Sequence, residues 1–347
     1  MKKIKVAING FGRIGRAFLK VALARPDEIE IVAVNDLGDI KNMAYLLKYD
    51  TAYRASGLDI KVRTAEEGSP ALIVNGQEIA YLSEKEPSLL PWVKLGVDVV
   101  VECTGLFTSY EKSNVHIKAG AKRVVISAPA KDDGKSEVAG ATVLLGINEE
   151  LMKGVKITSN ASCTTNAASP FLAILDQTIG IEKALLNTVH GYTSSQGLVD
   201  GPNKKDFREG RAAAMNIVPS STGAAIAVAK ALPSLAGKFD GVSMRVPVVT
   251  GSIVDVTFIS KKETSVAEVN EILKNASDEE KWKNIFAVTD EDLVSSDIIG
   301  NPHASIVDLK FTRVVGGNLV KVMAWYDNEM GYTYTLVEHV IKAGRLV

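Results

Sequence analysis

Ile4-Lys5-Val6-Ala7-Ile8-Asn9-Gly10-Phe11-Gly12-Arg13-Ile14-Gly15 is the stretch that decides the fold. A short apolar, strand-like run leads directly into Gly-x-Gly-x-x-Gly, and a helical pattern from Ala17 to Ala24 follows. In that setting glycines permit a tight turn and bring the backbone close to a pyrophosphate. The next strand-like run, Ile29 to Val34, ends in Asn35-Asp36, about twenty positions past the last glycine. A carboxylate there accepts hydrogen bonds from the adenosine ribose hydroxyls and repels a 2′-phosphate. No arginine follows Asp36 directly, so the pattern predicts NAD rather than NADP, with Gly10, Gly12 and Asp36 among its contacts.

Outward from this turn, strands of one parallel sheet are expected at Val97 to Glu102, Arg123 to Ser127, Thr142 to Leu145 and Val155 to Thr158, with a helix from Ser109 to Ala119. Asn75-Gly76, flanked by Ala71 to Val74 and Gln77 to Leu82, signals a hairpin that decorates the sheet. Thr104-Gly105 and Ser127-Ala128-Pro129 fall at carboxyl ends of strands, the edge where open α/β sheets bind ligands. Cys103 reads as a small apolar filler at a strand end.

The pattern changes after residue 162. Lys183 to His190 reads as a strand, and Gly191 to Gly210 as a long aperiodic loop of the kind that is usually functional. Strand patterns follow at Val242 to Arg245, Ile253 to Ile259, Ile306 to Thr312 and Leu319 to Tyr326, with helices near Gly223 to Ala231, Ser265 to Asn275 and Glu329 to Ala343. Strands gathered without alternating helices predict a second, α+β domain with a largely antiparallel sheet. The expected fold class is therefore an α/β Rossmann doubly wound sheet plus that second domain.

Charges nearly cancel at a formal net −1, and 46% of residues are hydrophobic, which excludes a basic nucleic-acid binder. No apolar run approaches a membrane span, and Met1-Lys2-Lys3 passes straight into the strand pattern without a signal-peptide apolar region, so a cytoplasmic location is expected. Two cysteines are too few for a disulfide framework, and the four histidines form no metal-ligand spacing, so no metal is expected.

Chemistry points to Ser159-Asn160-Ala161-Ser162-Cys163-Thr164-Thr165-Asn166, between a strand pattern and a helical run from Ala167 to Ile179. A cysteine near a helix N-terminus is a candidate thiolate nucleophile, because unpaired N–H groups and the helix dipole favour the anion. His190, ending a strand in a polar, glycine-bounded setting, is the candidate base. A thiolate, an imidazole and a nicotinamide suit oxidation of an aldehyde to a thioester, which then needs an acceptor, and phosphate is a sensible one. Ser221-Thr222-Gly223 ahead of a helical run could hold an anion, or supply only a helix cap. Arg245 within an apolar run needs an anionic partner, either a ligand or a buried carboxylate. Arg208 and Arg211 add positive potential or are simply solvated loop charges.

Together these residues resemble the phosphorylating glyceraldehyde-3-phosphate dehydrogenases over essentially the whole chain. The matching runs are Ile8 to Arg16, Ser159 to Asn166, Pro219 to Ala225 and Trp325-Tyr326-Asp327-Asn328-Glu329. The resemblance implies an NAD-binding domain over residues 1–162, a catalytic domain over 163–328, and a last helix, 329–347, that returns to the first domain. It implies Cys163 as nucleophile and His190 as base and oxyanion partner. It further implies Ser162, Thr164, Thr193, Thr222, Gly223 and Arg245 as contacts to substrate or inorganic phosphate, with Arg208 as the loop arginine. For NAD it implies Arg13, Ile14, Asp36, Lys85, Ser127 and Asn328, with Tyr332 near the nicotinamide side. A homotetramer working in glycolysis or gluconeogenesis is expected, with the loop after His190 packed on a neighbouring subunit.

Several positions depart from the family pattern. Ala167 stands where many members have a second cysteine, Val248-Val249-Thr250-Gly251 replaces a proline-rich run, Met330 replaces a tryptophan, and Glu209 sits beside Arg208 where some relatives have paired arginines. Lys85 stands where relatives often have arginine. Two alternatives remain at this stage: an erythrose-4-phosphate dehydrogenase, and a nucleotide-dependent redox sensor without turnover.

Overall fold

The computed structural model describes residues 2–131 and 136–347. By their internal contacts they form two units. One comprises Met1–Val143, Glu149–Ala161 and Leu336–Val347, the other Leu144–Asn148 and Ser162–Thr335.

In the first unit the strands are β1 (Ile4–Asn9), β2 (Ile29–Asn35), β3 (Tyr49–Asp50), β4 (Arg54–Ala55), β5 (Ile60–Arg63), β6 (Ala71–Val74), β7 (Gln77–Leu82), β8 (Val99–Glu102), β9 (Arg123–Ile126), β10 (Gly140–Thr142) and β11 (Ile157–Ser159). Its helices are α1 (Arg13–Leu23), α2 (Ile40–Lys48), α3 (Trp92–Leu95) and α4 (Tyr110–Lys118). Nine strands form one sheet in the order β10-β11-β9-β8-β1-β2-β7-β6-β5. All pairs from β10 to β7 are parallel, and β6 and β5 add an antiparallel flap. The chain leaves β1 on one side for β2 and later fills the other side with β8 and β9. The switch point therefore lies beside β1, where doubly wound sheets open a ligand crevice at the strands' carboxyl ends. Val99 to Glu102 is buried throughout, as expected of a parallel strand covered on both faces. Ala7, Val100, Val124 and Ile157 pack with Trp92 and Tyr110 in one such layer.

The Asn75-Gly76 hairpin forms as read, with both residues at positive φ, 49° and 82°. The sequence reading missed α2, whose start is marked by Asp39: its carboxylate accepts the Asn42 N–H. The strand expected to run from Thr142 to Leu145 ends at Thr142, and residues 144–148 belong to the other unit, where the Asn148 side chain accepts the Leu144 N–H.

The second unit contains α5 (Cys163–Thr178), β12 (Ile181–Gly191), β13 (Val218–Ser221), α6 (Ala224–Ala231), β14 (Phe239–Val246), β15 (Ser252–Ser260), α7 (Val266–Ser277), β16 (Phe286–Thr289), β17 (Ser305–Asp308), β18 (Arg313–Val315) and β19 (Leu319–Tyr326). α8 (Met330–Gly344) begins here, and its residues from Leu336 onward count with the first unit. The sheet order is β13-β14-β12-β15-β19-β17-β16, with β18 on β19. It is antiparallel except for β12 with β14 and β16 with β17. β15 alternates buried and half-buried residues with period two, so one face packs and the other does not. On the packed face Val254, Val256 and Phe258 meet Phe171, Leu172 and Leu175 of α5. Burial of each such side chain stabilises the unit by roughly 1.5–3 kcal/mol.

One expected strand is cut short. Residues 309–312 leave the ladder because Asp308 accepts the Lys310 N–H and the Trp325 indole N–H, which turns the chain into a 3-10 segment over Leu309–Phe311.

Candidate active site

In the first unit the glycine turn is built for close backbone approach. Gly10 has φ +93°, and a Cβ on it would lie 2.6 Å from the Thr104 nitrogen and 2.7 Å from the Cys103 carbonyl carbon. Gly12 starts α1 with no side-chain cap, which leaves that helix end to a ligand or water. Asp36 closes the turn from below: its carboxylate accepts the Phe11 N–H at 2.6 Å and the Gly38 N–H at 2.8 Å. Arg13 opens α1 and pairs with Asp50 at 3.1 Å. Burial alone would raise the Asp50 carboxyl, but the Tyr53 and Ala52 N–H groups and Arg13 hold it below its usual range. A cradle that excludes any side chain, an uncapped helix start and a nearby carboxylate fit a dinucleotide. Ser127 lies at the end of β9, its N–H bonded to the Glu102 carbonyl, and Lys85 is exposed after β7.

In the second unit Ser162 caps α5, its hydroxyl accepting the Thr165 N–H at 3.0 Å. The helix therefore begins at Cys163, four residues earlier than its apolar periodicity suggests, and the sulfur stands on the first turn. The chain enters this cap through Ala161 at φ +55°, a left-handed conformation uncommon for alanine. Pro170 removes one N–H from α5, and two side chains add bonds to the first turns, Ser169 to the Thr165 carbonyl and Asn166 to the Ser162 carbonyl.

Cys163 Sγ lies 3.4 Å from His190 Nε2. His190 reaches it from the end of β12, paired in register with Arg245 of β14. Thr164 is fixed by a chain of hydroxyls. Thr188 donates to the Ile253 carbonyl at 3.2 Å, so Tyr326 donates to Thr188 at 2.8 Å and Thr164 donates to Tyr326 at 2.9 Å. The Tyr326 ring also meets the imidazole edge-on at 5.9 Å. Tyr326 and Thr188 were missed as site residues in the sequence; the inward phase of β12 and β19 is the signal that carries them.

The electrostatics run against one expectation. Helix position was expected to favour the thiolate, yet burial pushes the Cys163 thiol up, with the Arg245 charge and the Thr164 bonds pulling it only partly back. Burial, then the Arg245 charge, pushes His190 down to about 3, against a smaller opposing effect of the Gly191 carbonyl. Both shifts favour the uncharged forms, a thiol and an imidazole. His190 Nδ1 lies 2.6 Å from two groups with opposite demands: the Gly191 carbonyl needs a proton on it, and Arg245 Nη1 needs a lone pair. It can satisfy one at a time. Among the described residues no carboxylate pairs with Arg245, and its Nε is buried without a partner.

Two family profiles match this chain. The NAD binding domain of glyceraldehyde 3-phosphate dehydrogenase matches residues 4–110, and its C-terminal domain matches residues 162–328. The chain belongs to the glyceraldehyde-3-phosphate dehydrogenase family. It is 46% identical to the enzyme of that name from Clostridium pasteurianum over 338 residues, 96% of each chain. It is also 46% identical to those of Borreliella burgdorferi, over 96% of this chain and 98% of the relative, and Mycobacterium avium, over 99% of each. The cofactor of the family's first domain is NAD.

Of the residues that the family resemblance assigns, the second unit joins Cys163, His190 and Arg245 by hydrogen bonds, with Ser162 and Thr164 flanking Cys163 and bonded to Thr165 and Tyr326. Thr222 and Gly223 stand at the start of α6, where Gly223 is the N-cap and the Thr222 hydroxyl accepts the Ala224 N–H at 3.2 Å. Thr193 bonds within its own loop, to Ser195 and Gln196. Arg208 is exposed on a 3-10 turn, and Arg211 is tied to Asp200 at 2.8 Å. Asn328 is buried, its carbonyl oxygen taken by Thr250, Gly251 and Ser252, and Tyr332 is buried in α8. Among the described residues no helix is long and apolar enough to cross a membrane, and no group of three His, Cys, Asp or Glu could hold a metal.

Proposed function

We propose that this member of the family oxidises glyceraldehyde 3-phosphate to 1,3-bisphosphoglycerate, with NAD and inorganic phosphate, through a thioester on Cys163. The observation that carries this reading is the 3.4 Å approach of Cys163 Sγ to His190 Nε2 on the first turn of a capped helix. With the Nδ1 proton on the Gly191 carbonyl, Nε2 presents its lone pair to the thiol. The thiol proton passes to Nε2 as sulfur bonds to the aldehyde carbon, and the imidazolium N–H then faces the new oxyanion. NAD, when bound, supplies the hydride acceptor that turns this adduct into a thioester. A phosphate oxygen attacks the thioester carbon, the bond from that carbon to Sγ breaks, and Cys163 leaves as a thiolate that takes its proton back from His190.

Arg245 is the anchor for a substrate or inorganic phosphate. A phosphate that takes the guanidinium satisfies its buried Nε and removes the donor competing for His190 Nδ1. Ser162, Thr164, Thr193, Arg208, Thr222 and Gly223 complete the phosphate contacts in this reading. Gly10, Gly12, Arg13, Ile14, Asp36, Lys85, Ser127, Asn328 and Tyr332 hold the dinucleotide. The working domains are those of the resemblance, 1–162 with the last helix and 163–328, in a cytoplasmic homotetramer. Exposed Leu198, Phe207, Met215 and Ile217 in the segment after His190 support burial of that segment against another subunit.

The deciding experiment measures NADH formed from glyceraldehyde 3-phosphate with and without inorganic phosphate. Phosphate-dependent NADH is expected. Equal rates without phosphate would remove the acylphosphate step, and faster turnover of erythrose 4-phosphate would change the substrate.

A further inference from the structure

Across the carboxyl edge of the first unit's sheet runs a line of buried side chains that neither the proposed reaction nor the cofactor contacts use. Trp92 Nε1–H donates to His116 Nδ1 at 3.2 Å. An indole nitrogen can only donate, so Nδ1 carries a lone pair and the His116 proton sits on Nε2. That proton is donated to Glu102 Oε2 at 3.1 Å. Glu102 Oε2 also accepts from the Asn9 amide at 2.6 Å, and Oε1 accepts the Thr104 N–H at 2.7 Å and the Thr104 hydroxyl. Four donors converge on this carboxylate, which leaves it no site for a proton.

The direction of every further link follows from that charge. Asn9 must turn its NH2 to Glu102, so its oxygen faces the Asn35 NH2 at 2.7 Å. Asn35 then clamps the backbone of Glu84, donating to its carbonyl and accepting its N–H, each at 2.9 Å. Glu102, Asn9 and Asn35 end β8, β1 and β2, and Glu84 follows β7 by two residues. Their order matches the strand order β8-β1-β2-β7. Asn9, Asn35, Glu102 and His116 are each 5% exposed or less. The line meets the cofactor cradle twice: Thr104, bonded to Glu102, is the backbone that a Cβ on Gly10 would strike, and Glu84, at its end, precedes Lys85.

We propose that the hydrogen-bonded line Trp92–His116–Glu102–Asn9–Asn35–Glu84 sets the spacing of the four strand ends beneath the dinucleotide, which makes Glu102 a positioning residue for NAD. The inference rests on the NAD-dependent reading above. Glu102 has the leading role because it alone can accept from every neighbour. A glutamine there keeps the shape but turns an NH2 toward either the Thr104 donors or those of Asn9 and His116, and one side must move.

The test is calorimetric titration of NAD into the wild type, Glu102→Gln and Asn35→Ala, alongside steady-state kinetics. For Glu102→Gln the NAD dissociation constant is expected to rise by at least about tenfold, and for Asn35→Ala by about threefold or more. The KM for glyceraldehyde 3-phosphate and kcat at saturating NAD should stay within about twofold. Folded variants that bind NAD as tightly as the wild type overturn the proposal. So do variants that lose affinity for NAD and for the sugar alike, because that pattern describes a general structural role. If Glu102→Gln does not fold, Asn35→Ala, which leaves the buried charge in place, decides alone. A wild type that does not bind NAD overturns the functional reading itself and with it this inference.

Discussion

The glycine edge of the first unit and the thiol site of the second handle buried polar groups in opposite ways. Along the sheet edge each donor has an acceptor and each link has one possible direction, from the Trp92 indole to the Glu84 backbone. At the thiol site one imidazole nitrogen is claimed by two neighbours and a guanidinium nitrogen has no partner. A satisfied network rigidifies its surroundings, whereas an over-subscribed one is completed by whatever binds. The two regions thus differ: the line along the sheet edge is complete without a ligand, whereas in the proposed reaction an anion on Arg245 would free His190 Nδ1 for the Gly191 carbonyl.

The largest expected effect tests whether the second region is the reacting one. Cys163→Ser should lower turnover by at least about a thousandfold while NAD still binds to the first unit; activity within tenfold of the wild type would exclude this sulfur as nucleophile.

Acid comes next, because each region holds a buried neutral histidine. His339 Nδ1 donates to Asn160 Oδ1 at 3.0 Å and Nε2 accepts from the Thr158 hydroxyl at 2.8 Å, and burial, then the charges of Arg123 and Lys342, pushes it down to about 3. An unfolded chain takes that proton near 6.5, so its stabilising contribution is full above that pH and is lost as pH falls toward 3. Between pH 7 and pH 4 the loss is on the order of 3 kcal/mol per such group. Denaturant unfolding at both pH values, in the wild type and in His339→Gln, measures it. A variant that loses as much stability in acid as the wild type would show that His339 is not the sensor. His190 has the same depressed position, but a bound phosphate should draw Arg245 away and let it titrate higher.

The smallest effect sharpens the contrast. Arg245→Ala should raise the KM for glyceraldehyde 3-phosphate by about ten- to a hundredfold, the usual weight of a charge-assisted contact, with the NAD dissociation constant unchanged. Equal losses for sugar and NAD would place Arg245 in the fold rather than at the anion.

Much of the first region was legible because its logic is local. Strand, glycine turn, helix and acidic strand end follow one another within 36 residues, and Asn75-Gly76 announces its own hairpin. The second region was legible in its parts, Cys163, His190 and Arg245, because each is a reactive or charged type in an unusual setting. What stayed hidden depends on contacts between residues far apart in the chain. Thr188 and Tyr326 reach Thr164 from two other elements, and only that assembly gives them a role. The same distance hid the desolvation around the sulfur. Proximity to a helix start is visible in sequence, but the desolvation that outweighs it is a property of the packed interior. Segment ends failed for local reasons: Ser162 starts α5 before its apolar phase begins, and Asp308 stops β17 although Leu309 and Phe311 continue the alternating apolar pattern.

Ala161 has one more consequence. Its φ of +55° lies in a basin that a residue branched at Cβ cannot share without strain, while glycine enters it freely. Drift at this codon is therefore filtered by handedness before chemistry: valine or threonine, harmless in most coil positions, would tilt the peptide that delivers the hydroxyl cap, and the nucleophile would lose its aim without being touched.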